Sequence, residues 1–188
     1  MADHPHFKQI TVYHPALEEL LAELRGMYSN GGAMLGCFEA WDVQHQPGQV
    51  LRSLNPERAI RRFVASETVA LAFPELWVQQ PWDRRRWTVP GPDPEFEQSD
   101  PLLLDDQLAG LLTWGGAYSP YRDIREQAKD LGARCCEAMF GYRYEAVAVY
   151  VSWKAWAPWF RDVAWDSTWV VMDFDTDRLW LLCCTDTD

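Results

Sequence analysis

The sequence contains no run of about eighteen apolar residues, the length a helix needs to cross a bilayer, so no membrane-spanning segment is expected. Positive charge is scarce. Seventeen Lys and Arg stand against 28 Asp and Glu, a formal net charge of -11. That balance repels phosphate backbones and anionic lipid, which argues against nucleic-acid and membrane partners. The same field attracts a basic protein and speeds the encounter; it also serves plain solubility. The N-terminus, Met1 to His6, lacks the basic-then-apolar order of a secretion signal, so a cytoplasmic protein is expected.

Motifs that carry chemistry are missing as well. The cysteines Cys37, Cys135, Cys136, Cys183 and Cys184 include no Cys-x-x-Cys pair and read as buried, reduced thiols. The four histidines, His4, His6, His14 and His45, complete no zinc spacing and no His-Glu-x-x-His. Gly-x-Ser-x-Gly is absent. Gly31-Gly32 and Gly115-Gly116 lack the Lys-Ser/Thr that completes a phosphate loop. No catalytic residue, metal site or cofactor is expected on motif grounds.

What remains is rich in apolar and aromatic side chains. The chain has 188 residues, of which 48% are apolar, enough for one compact domain with a sizeable core. Residues 1–188 are therefore read as a single domain, with 79–100 a proline-rich loop inside it. That loop holds the one basic island, Arg84-Arg85-Arg86 between Trp82 and Trp87.

Periodicity places the elements. Ile10 and Val12 alternate with polar neighbours, a short edge strand. Pro15 opens a helix whose apolar stripe is Leu17, Leu20, Leu21, Leu24 and Tyr28. Residues 33–41 read as a strand or a short buried helix. Asn55-Pro56 caps and starts a helix bearing Ile60, Phe63 and Val64. Asp105-Asp106 begins another, with Leu104, Leu108, Leu111 and Leu112. Ser119-Pro120 opens a last helix through Met139. The final third then alternates as strand: 145–151, 168–173 and 179–185, the last two joined by a hairpin loop at 174–177. The third of these is apolar on both faces and so central in its sheet. The expected fold is α+β, an antiparallel sheet built largely from the C-terminal third with helices packed against it.

Two residue types in the terminal stretch invite a functional reading. Asp173, Asp175 and Asp177 form Asp-x-Asp-x-Asp, and Asp186 and Asp188 follow. A calcium loop needs glycine at its sixth position and glutamate at its twelfth; counted from Asp173 those positions are Arg178 and Cys184. A solvated turn fits better, and a metal-dependent hydrolase using Asp173, Asp175, Asp186 or Asp188 is the alternative. Trp153, Trp156 and Trp159 recur every third residue on an irregular segment, with Asp162 and Asp166 close behind. Two readings stay open: indoles covering a small sheet, or anchors of an interface with a charged rim.

The run from Trp156 to Trp169, the terminal Trp180-Leu-Leu-Cys-Cys-Thr-Asp-Thr-Asp188 and Gly115-Gly116-Ala117-Tyr118 resemble a group of small acidic, Trp-rich bacterial proteins of unassigned function. Proteins of that kind are encoded beside toxins of polymorphic or type VI secretion systems. The resemblance implies an immunity protein, a cytoplasmic binder that occludes the active site of a cognate toxin. A basic toxin suits the acidity. The expected contact surface is Trp153, Trp156, Trp159, Asp162 and Asp166, with Asp175 and Asp177 beside it.

Overall fold

A computed structural model describes residues 5–78, 93–119 and 121–187. The basic island at 84–86 lies outside them. The described residues form an α+β structure with one six-stranded antiparallel sheet and five α-helices. The strands are β1 (His6–Ile10), β2 (Gly32–Trp41), β3 (Glu97–Ser99), β4 (Val147–Ser152), β5 (Ser167–Asp173) and β6 (Arg178–Thr185). Their order across the sheet is β1-β2-β6-β5-β4-β3. The helices are α1 (Pro15–Met27), α2 (Pro56–Val64), α3 (Glu67–Ala72), α4 (Leu104–Trp114) and α5 (Arg125–Phe140).

Residues 33–41 resolve as strand, and β2 is the longest at 10 residues. It pairs with β6 from Gly32↔Thr185 to Glu39↔Arg178, so β6 lies between β2 and β5. The sheet is covered on both faces, which is why its central strands carry apolar residues at successive positions. Along β6, Trp180, Leu182 and Cys184 face one layer, while Leu179, Leu181 and Cys183 face the other. The first layer is α1, α4 and α5, contributing Leu20, Leu24, Leu108, Leu112, Leu131 and Phe140. The second combines α2 and α3 with the segment 155–160, contributing Ile60, Phe63, Val69, Trp156 and Phe160.

Local chemistry sets the helix starts. Asn55 Oδ1 accepts from Arg58 N at 3.0 Å and Pro56 follows in the first turn. The helix expected from Pro120 instead begins at Arg125. The two groups that would form its N-cap bond are engaged elsewhere: Ser119 Oγ donates to Met27 O (2.8 Å) and Arg122 N to Thr113 O (3.0 Å).

The two Gly-Gly pairs have a packing role. A Cβ at Gly31 would collide with the Thr185 carbonyl, and one at Gly116 with the Asp186 carboxylate and Met27 O. Both bends therefore press against the end of β6, where only a bare Cα fits. Asp186 fastens them, accepting from Asn30 N at 2.9 Å and Ala117 N at 2.8 Å.

Candidate functional site

The seven residues expected to form one contact surface are spread over different parts of the fold. Trp156 and Trp159 lie in the second layer, with 2% and 7% of their surface exposed. Trp156 Nε1 donates to Thr168 Oγ1 at 2.9 Å, and its ring packs on Phe160 and Trp77. Trp159 N donates to Leu76 O, and its ring packs edge-on against Phe160. Both indoles cover the sheet, because the short helices α2 and α3 leave that face uncovered beside β4 and β5.

The carboxylates divide the same way. Asp166 is buried and organises the return of the chain into β5. It accepts from Arg161 N, Asp162 N, Val163 N and Thr185 Oγ1, at 3.2, 2.5, 3.1 and 2.5 Å. Burial pushes its carboxyl above the usual range, and these four hydrogen bonds pull against that rise. Asp177 is also buried, accepting from Gly48 N (2.5 Å) and Leu51 N (2.9 Å), and so fastens the loop after β2 to the β5–β6 hairpin. Its backbone sits in the left-handed region at φ 53, which Asp tolerates. Asp175 is exposed and pairs with Arg52 Nη2 at 2.5 Å. Asp162 is exposed at φ 63. Of the seven, Trp153, Asp162 and Asp175 remain at the surface.

The acids of the hydrolase alternative are separated too. Asp173 ends β5, fully buried, and binds Arg143 and the Asp175 N–H. Asp173 pairs with Arg178 at the start of β6, and Asp186 follows the far end of that strand, about 26 Å away at the rise of an extended chain. Asp188 lies outside the described residues. Among the described residues no three His, Cys, Asp or Glu side chains stand close enough to share a metal ion. The thiols are buried and unactivated: burial pushes Cys37, Cys135, Cys136 and Cys183 up to about 12.

Trp153 belongs to a different assembly. It continues the odd-numbered alternation of Val147, Val149 and Val151, so it emerges on the α1/α4/α5 face of the sheet. There it packs edge-on against Trp169, with ring centroids 5.5 Å apart. Ser167 and Trp169 of β5 share that face, and Trp165 packs against the same core. Opposite them, Gln107, Leu111 and Trp114 recur at i, i+4 and i+7 along α4. Gly115, in the left-handed region at φ 65, ends the helix and leaves Trp114 70% exposed, tilted against Tyr121 at 5.1 Å.

Together these elements bound a cleft of about 460 Å³ lined by Trp114, Trp153, Trp165, Trp169, Tyr28 and Ser167, with Gln107 and Leu111 on the helix side. That volume lies in the range of sites for small ligands and side chains. None of its described lining residues carries a formal charge. The Gln107 amide is half used: Oε1 accepts from Trp169 Nε1 (3.1 Å) and Nε2 donates to Ser99 Oγ (2.8 Å). Ser167 Oγ is buried at the cleft floor. Its ladder partner Cys184 presents a thiol, a weak donor, but no well-formed hydrogen bond joins them. Burial, then Cys184 and Asp186, hold the Tyr28 phenol well above its ordinary range, so its hydroxyl stays protonated.

Trp114, Trp165, Trp169, Tyr28 and Ser167 were missed as site residues. One signal was present in the sequence: Trp114 stands off the Leu104–Leu108–Leu112 stripe, one position before a Gly-Gly stop. An indole off the core stripe at a helix end has no intramolecular cover from its own element.

No family model matches the chain, and no curated protein sequence matches it. No described helix is long and apolar enough to cross a membrane.

Proposed function

We propose that this protein is a binding protein of the immunity type, which neutralises a basic bacterial toxin in the cytoplasm by covering its active site. The toxin belongs to the polymorphic or type VI secretion class that the sequence resemblance implies. The observation that carries the reading is the half-open tryptophan cleft. Trp114 is 70% and Trp153 56% exposed, and Tyr121, also exposed, packs against Trp114. Exposed large aromatics gathered around one concavity mark interaction sites, and Trp and Tyr dominate binding energy at such sites. The net charge of -11 supports a basic partner.

The surface differs from the one expected from sequence. Trp153 keeps its place, now with Trp114 and Trp165; Trp156 and Trp159 give way to them because they are interior. The experiment is neutralisation. The C-terminal toxin domain encoded beside this gene is expressed with the wild-type protein or with W114A/W153A. Wild type restores growth and the double variant, folded by near-UV circular dichroism, does not. Absence of a toxin domain beside the gene, or undiminished protection by the double variant, overturns the reading.

A further inference from the structure

We infer that the cleft is a cage for a cation, and that its occupant is an arginine side chain of the partner protein. The inference rests on the proposed function only in taking the partner to be a protein; its physical content is independent.

Four indoles, Trp114, Trp153, Trp165 and Trp169, bound one space. Indole faces carry negative electrostatic potential and attract a cation placed over them. An occupant of opposite sign to the chain is favoured further, because no described lining residue is Lys or Arg and the chain carries 28 acids against 17 bases. Asp186 is near enough to Tyr28 to act on its phenol, and Asn30 N and Ala117 N hold its carboxylate in place. The site thus has a negative backing without an exposed carboxylate to bring water into it.

Arginine fits the remaining chemistry better than lysine. A planar guanidinium stacks on indole rings and is more weakly hydrated than an ammonium, so it enters an apolar slot more readily. Its N–H groups also need an acceptor at the bottom. Ser167 Oγ is buried, lines the cleft and has only the weakly donating Cys184 thiol beside it, which leaves its lone pairs able to accept. Gln107 has one carbonyl lone pair committed to Trp169 Nε1 and one amide hydrogen to Ser99 Oγ, so its oxygen can serve as a second acceptor for the guanidinium. A sugar is disfavoured by the same inventory, since apart from the Ser167 and Tyr28 hydroxyls the lining offers few polar groups for its ring hydroxyls.

The test uses N-acetyl-arginine methylamide and its uncharged isostere N-acetyl-citrulline methylamide, titrated into the purified full chain. Indole N–H resonances report binding in a ¹⁵N-correlated NMR spectrum. The arginine probe should shift the Trp153 and Trp114 signals with millimolar affinity, and citrulline should bind at least about threefold more weakly, the share expected from a cation over aromatic faces. W153F, which retains a ring, should bind between wild type and W153A; S167A should weaken arginine binding several-fold while leaving the fold intact. Equal affinity for citrulline, or no shift at about 50 mM arginine probe, well above millimolar affinities, overturns the cage. Arginine binding with no toxin neutralisation overturns the functional reading and leaves the cage standing. Neutralisation without arginine binding does the reverse.

Discussion

Trp153 and Trp156 stand three residues apart, and the sheet lies between them. Trp153 remains on the side that β4's alternation assigns it, against Trp169 and open to solvent. By Trp156 the chain has crossed to the opposite face, where the ring is sealed against Phe160 and Trp77. One indole is available to a partner and the other holds the second layer on. Aromatic richness by itself therefore does not mark an interface; the face of the sheet on which each ring lands decides its use. The carboxylates repeat the lesson, since Asp166 accepts backbone N–H groups inside while Asp162, four residues earlier, faces water.

The comparison can be broken by measuring stability. W156A should lose about 3–5 kcal/mol in urea unfolding, as large aromatic-to-alanine core changes do, and also take from Thr168 Oγ1 the indole N–H it accepts. A loss under about 1 kcal/mol, the scale of surface changes, would place Trp156 at the surface after all. D177A should come next, at about 3 kcal/mol, because the buried Leu51 N–H and the part-buried Gly48 N–H lose their acceptor and alanine is strained at φ 53. D166N should lose about 2 kcal/mol: whichever way its amide turns, an NH₂ meets N–H donors. W153A should lose no more than about 1 kcal/mol, the value of one aromatic pair. A W153A loss as large as that of W156A would erase the distinction.

Much of the fold is legible because local rules and tertiary packing agree. The alternation of Val147, Val149 and Val151 against Ala148 and Tyr150 holds residue by residue. So does the cap at Asn55 and the central position of the strand bearing Trp180. The start of α5 was not legible, because Ser119 and Arg122 are taken by Met27 and Thr113 rather than by their own helix. The role of Asp177 was hidden for a related reason: its partners Gly48 and Leu51 lie 129 and 126 residues away, and no short pattern encodes such a contact. Trp153 was picked out by its sequence context, and the structure leaves it exposed at the cleft. Trp114 escaped because its significance depends on α4 lying opposite β5, which periodicity along one helix does not reveal.

The position of β6 has a bearing on how the protein is made. Among the described strands it is translated last, yet it alone joins the β1–β2 pair to the β3–β4–β5 group. Before residues 178–185 pair, β2 and β5 each present an unpaired margin and nothing joins them. Contacts between positions so distant in the chain form slowly, and those margins are the surfaces a chaperone must shield in the interval.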